Sequence, residues 1–266
     1  MNNKIIGNIN FVNSHIEFKG NNNIFFCNGN LTLENCLVRF TGSNSLIYIE
    51  NNEYPMSLNM RVGNDSVIYI GSDCYINKTS NLYATERKNI IIGDQLLLSF
   101  DVYFRTADPH LIYDTKTKKR INNSKSILIG DRVWIGQSSL ILKGNVIGSG
   151  CIIGGHSVLS NKSLKSNTMY AGSPAKKIRD NVFYGAHRST HDFDEDQEKN
   201  SEYYSEIDID RYVYLRDSNT ISLKQIDTEI SRIKKVSDKI EYIKENLSNN
   251  HNKNRFYNDG VENKSA

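Results

Sequence analysis

The chain has 266 residues, of which 38% are hydrophobic and 24% charged, as in globular rather than disordered proteins. It has no run of the eighteen or so apolar residues that a membrane-spanning helix needs, and the Asn-rich start "MNNKIIGNINFVNSH" differs from a signal peptide. The sequence therefore predicts a cytoplasmic protein. The net charge of +3 is too small to indicate nucleic acid, and the excess of Asp and Glu from residue 185 onward leaves a basic body that suits an anionic ligand.

The four cysteines have no spacing typical of a metal site, and we expect reduced thiols. The histidines in "HRSTH", His187 and His191, have helical i, i+4 spacing. No acidic or cysteine partner accompanies them at matching spacing, and so no metal site is predicted.

Residues 1–90 are rich in Asn and Gly, which tolerate the left-handed backbone of tight turns. Fragments of a six-residue step occur here, in the groups Phe25, Leu31, Leu37 and Ile70, Ile76, Leu82. We interpret this region as irregular coils of the solenoid that follows; an independent β-sandwich is the alternative.

The six-residue step becomes regular over residues 91–175. After Ile92, Leu98 and Phe104, an unbroken series resumes further on: Ile129, Ile135, Ile141, Ile147, Ile153 and Leu159. This period fits neither an α-helix nor an alternating strand. It fits a short strand and a turn in each block of six, so that three blocks close an 18-residue coil with the aliphatic residue inside.

The six-residue period is interrupted between Phe104 and Ile129. His110 lies one further step along, and the polar, basic stretch "LIYDTKTKKRINNSKS" follows it. Loops of this length in compact domains are usually functional or disordered. We predict a loop at residues 111–126 that protrudes from the solenoid, with His110 held at the coil edge beside it.

Residues 180–266 form a predicted C-terminal extension. Apolar residues follow one helical stripe over about residues 220–247, from Leu223 to Leu247, which predicts an amphipathic helix. Its near-heptad spacing suits pairing between subunits, and packing against its own body is equally compatible.

The segments "DPHLIYD", "RINNSKSILIGDRVWIGQSSLILKG", "IIGGHSVLSNKS" and "MYAGSPAKKIRDN" resemble the hexapeptide-repeat acyltransferases. Within these, they are similar to the branch that O-acetylates bacterial capsular sugars, such as the polysialic acid enzymes. The resemblance covers about residues 90–184. It implies an all-β fold, a left-handed parallel β-helix over residues 1–179, usually trimeric, with acetyl-CoA bound between subunits.

The resemblance also implies site residues. His110, in the element Asp108-Pro109-His110, matches the family's catalytic histidine, although Pro109 stands where the family often has a small or flexible residue. Trp134 matches the family's Trp in "VWIG", and Asp108 is a candidate to fix the imidazole tautomer. Tyr103 and Arg105 are predicted to contact the acceptor. The predicted cofactor-binding residues are Gly136, Ser138, Gly154, Gly155, Ser160, Lys162, Ala171, Lys176 and Lys177.

Acetyl transfer to a hydroxyl requires a base, and an imidazole with an ordinary pKa near 6.5 is suited to this at neutral pH. The sequence thus predicts an acetyl-CoA-dependent O-acetyltransferase of a surface polysaccharide, with no metal and with His110 as general base. Two alternatives stay open. One is acetylation of a small acceptor such as a free sugar, serine or antibiotic, and the other is a non-catalytic β-helix assembly module.

Overall fold

The computed structural model describes residues 2–185, 190, 194–199, 201–202 and 209–260. In chain order the strands are β1 (Lys4–Val12), β2 (His15–Phe18), β3 (Ile24–Glu34), β4 (Leu37–Phe40), β5 (Leu46–Glu50), β6 (Leu58–Val62), β7 (Val67–Ile70), β8 (Tyr75–Ile76), β9 (Ser80–Ala84), β10 (Ile90–Ile92), β11 (Leu97–Leu98), β12 (Tyr103–Arg105), β13 (Ile127–Ile129), β14 (Trp134–Ile135), β15 (Leu140–Leu142), β16 (Val146–Ile147), β17 (Ile152–Ile153), β18 (Val158–Leu159), β19 (Ser163–Leu164), β20 (Thr168–Gly172) and β21 (Ala175–Asp180). The α-helices are α1 (Glu195–Lys199), α2 (Leu223–Arg232) and α3 (Val236–Ile243).

These strands form the three walls of a β-solenoid. The first sheet has the order β1-β3-β5-β7-β10-β13-β16-β19, the second β8-β11-β14-β17-β20-β21, and the third β2-β4-β6-β9-β12-β15-β18. Neighbouring strands are parallel, except that β20 and β21 form an antiparallel hairpin at the end. The predicted all-β parallel β-helix, with its protruding loop and helical extension, is confirmed.

The six-residue repeat places its aliphatic side chains in the core. Ile129, Ile135, Ile141, Ile147, Ile153 and Leu159 are all fully buried. Small residues at the corners between strands are buried as well, and some of them link the coils. The Ser139 hydroxyl, for example, accepts from the Ser157 backbone N–H of the next coil at 3.3 Å and donates to the Gly154 carbonyl at 3.1 Å.

The N-terminal coils are longer, because paired residues of β3 and β5 lie 22 positions apart. Asn8 of β1 bonds to Asn30 of β3, and Asn13 bonds to Asn35 at the turns that follow these strands, each at 2.6 Å and each across 22 residues. The longer coil also changes which residues face inward. Val38 is fully buried, whereas Leu37 is half-exposed, so the sixfold step predicted through Leu37 is wrong at that residue.

The extension packs on the outer face of the first sheet. Its stripe is divided between α2 and α3, because Ile233 and Lys235 have extended backbone, and a π-helical turn (Lys244–Ser248) follows. The apolar residues of the extension, among them Ile230 and Ile243, bury Tyr48, Tyr69 and Ile91 on the outer face of the sheet. Of the two arrangements that the sequence allows, the protein has packing against its own body.

Arg255 fixes the end of this extension to the solenoid. Its guanidinium is 2% exposed and bonds to both oxygens of Asp131, at 2.8 and 2.9 Å, and to Asp94 at 2.7 Å. It also donates to the Leu247 carbonyl at 2.8 Å. Desolvation opposes its charge, but the Asp131 and Asp94 carboxylates outweigh this and raise the pKa of Arg255.

Each described helix is too short and too polar to cross a membrane. The four cysteines are free and buried. Within the described ranges, no group of three His, Cys, Asp or Glu side chains is arranged to hold a metal ion; His187 and His191 lie outside the described residues.

Replacing Arg255 with Met should lower the free energy of unfolding by about 3–5 kcal/mol, because the substitution leaves two carboxylates without their buried counter-charge. Urea unfolding followed by circular dichroism measures the change. Arg216→Met is the matched control, since Arg216 is 60% exposed and pairs with Asp259 at the surface; it should cost less than about 1 kcal/mol. Equal losses in the two variants would contradict a dominant role for the buried cluster.

Candidate functional site

The chain leaves the solenoid between β12 and β13, and His110 lies within this excursion. Thr106, not His110, occupies the corner after Phe104. Thr106 is fully buried, and its backbone carbonyl accepts from the Lys125 N–H at 3.0 Å. His110 is exposed. The expectation that His110 lies on the six-residue grid of the coil is therefore wrong, because the excursion already begins at Ala107.

The excursion is an ordered hairpin. Tyr113 and Arg120 form an antiparallel bridge. At its tip, the Asp114 carboxylate accepts hydrogen bonds from the Lys116 and Thr117 backbone N–H groups, at 3.0 and 2.6 Å. These hydrogen bonds to the ionised form hold the pKa of Asp114 below its ordinary value.

Asn122 is the polar centre of this loop and is buried. Its amide nitrogen donates to the Asp108 carboxylate at 2.9 Å and to the His110 backbone carbonyl at 2.8 Å. Its amide oxygen accepts from the Ile112 N–H at 2.9 Å and from Nε of Arg120 at 3.2 Å. One side chain therefore holds the His110 carbonyl, the Ile112 N–H and the Asp108 carboxylate.

Two ion pairs tie the loop to the coils on either side of it. Lys143, after β15, bonds to Asp108 at 2.5 Å, and Arg120 bonds to Glu86, after β9, at 2.8 Å. The hydrogen bond from Lys143, together with that from Asn122, holds the pKa of the Asp108 carboxyl below its ordinary value. The partners of the Asp108 carboxylate are thus Lys143 and Asn122, so in this arrangement it anchors the loop.

The predicted acceptor residues Tyr103 and Arg105 line one groove beside the loop. Its volume is about 420 Å³, and its walls are Tyr103, Arg105, Ala107, Asp108, Pro109, Leu140 and Leu142. Pro109, the residue that departs from the family pattern, belongs to this wall. His110 follows Pro109 directly in the chain and is exposed.

Trp134 lies on a different side of the solenoid. It begins β14 in the second sheet, is 37% exposed, and has its ring 5.9 Å from that of Tyr184. The loop that carries His110 leaves the solenoid at the corner between the third and first sheets. The outer faces of different sheets point in different directions, so one chain does not bring the two predicted catalytic side chains to the same groove.

The predicted cofactor residues fall into two groups, on the two sides of the third sheet. Ser160 and Lys162 lie at the corner after β18. The others lie on the side of the second sheet. Four are at corners between the second and third sheets, namely Gly136, Ser138, Gly154 and Gly155, and three are in the final hairpin β20–β21, namely Ala171, Lys176 and Lys177.

Two of these glycines are required by coil stacking. A Cβ on Gly136 would lie 2.5 Å from the Gly155 backbone nitrogen, and one on Gly154 would lie 2.9 Å from Cβ of Ala171. Gly155 has room for a side chain and is exposed. Lys176 is exposed, whereas Lys177 pairs with Asp180 at 2.8 Å. The backbone at Gly155 and the side chain of Lys176 are thus both open to solvent.

Sequence reasoning missed Asn122 and Lys143. Both stand in segments that resemble the family, but neither a repeat nor a motif marks them. Asn122 is 14 residues from Asp108, and Lys143 is 35 residues from it. Only the return of the chain to the next coil brings these groups together.

The chain is similar in sequence to proteins of known activity. No family model matches the chain. The chain is 40% identical over 131 residues to the polysialic acid O-acetyltransferase of Escherichia coli O1:K1 / APEC, covering 47% of this chain and 42% of that protein. It is 39% identical over 160 residues to the polysialic acid O-acetyltransferase of Neisseria meningitidis, covering 52% of this chain and 74% of that one. The chain thus spans less than half of the E. coli relative and about three quarters of the Neisseria one.

Solved structures agree with these relatives. The polySia-specific acetyltransferase NeuO matches with a TM-score of 0.53 and 26% identity over 71% of this chain and 97% of that one. The polysialic acid O-acetyltransferase OatWY matches with a TM-score of 0.51 and 26% identity over 76% and 100%. The chain belongs to the polysialic acid O-acetyltransferase family of β-helical acyltransferases.

Replacing Asn122 with Ala should loosen the loop around His110, because it removes the acceptor of the Ile112 N–H and the donor to the His110 carbonyl. A net hydrogen bond is worth roughly 1 kcal/mol, so amide exchange at Ile112 should accelerate about fivefold or more. Hydrogen–deuterium exchange resolved by mass spectrometry or NMR measures this. Asn8→Ala, which removes an exposed bond at the far end of the solenoid, should leave exchange in the loop unchanged. Unaltered exchange at Ile112 in Asn122→Ala would contradict the role of Asn122.

Proposed function

We propose that this protein is an acetyl-CoA-dependent O-acetyltransferase of a bacterial surface polysaccharide, acting in the cytoplasm as a homotrimer. Membership of the polysialic acid O-acetyltransferase family supports the reaction class. The observation that carries the proposal is that the exposed His110 directly follows Pro109, a wall residue of the groove that Tyr103 and Arg105 line.

His110 is the proposed general base. Its side chain is exposed, it directly follows a wall residue of the groove, and Asn122 holds its backbone carbonyl. The imidazole takes the proton of an acceptor hydroxyl as that hydroxyl attacks, and returns the proton to the departing thiolate. This kind of catalysis contributes on the order of a hundred- to ten-thousandfold. Acetyl-CoA, when bound, supplies a thioester whose carbonyl carbon receives the hydroxyl oxygen.

The groove orients the acceptor. The Arg105 guanidinium carbon lies 5.8 Å from the centre of the Tyr103 ring, which limits the positions that the cation adopts. Leu140 and Leu142 provide an apolar wall. Because Lys143 pairs with Asp108, the carboxylate in the wall of this groove is neutralised, and it does not repel an anionic acceptor from Arg105.

Trp134 takes part from a neighbouring subunit in this proposal. Its indole N–H is a donor for the charge that develops on the carbonyl oxygen, and its ring is a wall for the donor arm. The separation of Trp134 from His110 within one chain supports a site completed between two chains. Gly155, Lys176 and the other predicted cofactor residues then surround the donor.

His110→Ala should reduce acetyl transfer by at least a hundredfold while oligomer size and thermal stability stay unchanged, since the side chain is exposed and its backbone contacts remain. Release of free thiol from acetyl-CoA, with a capsular polysaccharide such as polysialic acid as acceptor, measures the rate. His251→Ala, at an exposed position in the extension, is the control and should keep full activity. Full activity in His110→Ala would overturn the assignment.

Mixed oligomers test the shared site directly. His110→Ala and Trp134→Ala should each be nearly inactive alone, whereas co-expression of the two chains should restore a fraction of wild-type activity. Some subunit interfaces of the mixed oligomer then carry both intact residues. Purification through two different tags ensures that both chains are present. No recovery in verified mixed trimers would contradict a site formed by His110 of one chain and Trp134 of another.

A further inference from the structure

The outer face of the third sheet carries a column of basic and aromatic side chains that continues from the groove toward the N-terminal coils. Arg39, Arg61, Tyr83 and Arg105 occupy the same register position in the paired strands β4, β6, β9 and β12. The guanidinium carbons of Arg61 and Arg105 each lie 5.3 Å from the centre of the Tyr83 ring. Tyr83 therefore holds one cation on each neighbouring strand.

The charge of this column is largely uncompensated. Arg39 has a carboxylate partner, Glu17, at 3.4 Å. Among the ion pairs of the residues that the structure describes, none includes Arg61 or Arg105. The core of these coils is formed by the inward-facing residues of the same strands, such as Met60 and Leu82. The packing of the solenoid therefore does not require unpaired cations at Arg61 and Arg105, on either side of Tyr83.

The spacing of the column is set by strand pairing. Adjacent strands lie about 4.8 Å apart, so Arg39 and Arg105, three strands apart, are separated by roughly 14 Å along the solenoid. Asn59, Asn81 and Tyr103 form a second column beside it, two residues earlier in each strand. Asn81 is buried, whereas Asn59 and Tyr103 are half-buried. Amide and phenol groups are donors and acceptors for sugar hydroxyls, so Asn59 and Tyr103 place neutral hydrogen-bonding groups beside the cations.

We propose that this column, Arg39, Arg61, Tyr83 and Arg105, binds carboxylate-bearing sugars of an extended acceptor polymer beyond the residue that receives the acetyl group. The inference rests on the proposed function only for the identity of the acceptor. Arg105 is common to the groove and the column, so the polymer continues from the reacting sugar across β9 and β6 to β4. Carboxylates fit the guanidinium groups, and ring hydroxyls fit the half-buried Asn59 and Tyr103.

The aromatic residue of the column argues against nucleic acid. Single-stranded nucleic acid is bound by aromatic rings on which bases stack, and the Tyr83 ring already lies between two guanidinium groups. Its hydroxyl donates to Asn81 at 3.2 Å. The ring thus orders the two cations, and the cations are what the surface offers to a ligand.

Arg61→Gln and Arg39→Gln/Arg61→Gln test the column away from the groove. With polysialic acid as the probe, KM should rise about three- to tenfold for the single variant and further for the double variant, since one or two charge-assisted contacts are lost. The same polymer with its carboxyl groups reduced to alcohols should have a high KM with the wild-type protein. The substitutions should not raise that KM further. Unchanged circular dichroism and thermal midpoint establish that the variants are folded.

Arg87→Gln is the matched control. It removes the same charge from the adjoining corner, where Arg87 is exposed and pairs with Asp65 at 3.3 Å, and should leave KM unchanged. An unchanged KM in the double variant, or an equal rise in Arg87→Gln, would overturn the proposal.

Direct binding separates this inference from the proposed function. Calorimetric titration of wild type and the double variant with polysialic acid requires no acetyl transfer. Weaker binding by the double variant supports the column even if no acceptor is acetylated, in which case the proposed function alone fails. Equal binding by the two proteins, or equal affinity of the wild type for polysialic acid and single-stranded DNA, would overturn the column as a carboxylate-specific surface.

Discussion

Every part of this molecule depends on the stacking of one coil on the next in a fixed register. Ile135 lies on Ile153, and Phe104 on Ile141, because parallel strands pair without a shift from coil to coil. Any insertion that stayed within a coil would move the following aliphatic residues out of the core. Additional residues therefore leave at a corner, and the loop that carries His110 does so between two buried polar residues, Thr106 and Ser126.

The same constraint explains what the sequence predicts and what it does not. From Ile129 to Leu159 each face has six residues, and its repeating aliphatic points inward, so period and structure coincide. In the N-terminal coils the strands are longer and alternate inward and outward, and for this reason Leu37 fits the sixfold count while Val38 fills the core. His110 also fits the count by number alone. A count along the chain does not reveal where the backbone leaves a coil.

Polar contacts between distant segments lie beyond such patterns. The apolar stripe of residues 223–247 predicts a helical surface, but not the wall of the solenoid that it covers. That choice is made by buried polar groups whose partners are far away in sequence. Arg255 reaches Asp131, Asp227 accepts from Asn89 at 2.7 Å, and the Lys239 ammonium donates to the Asp65 carbonyl at 3.0 Å. Each of these groups would be left buried without its partner if the extension docked elsewhere.

The Asn pairs that link successive N-terminal coils give the protein a modular length. From β3 onward each coil there contributes 21 or 22 residues and offers the next coil an equivalent strand edge. Duplication or loss of one such unit changes the height of the solenoid without changing the coils that hold His110. The length of the outer surface then changes in steps of one strand during evolution, while the coils around His110 keep their structure.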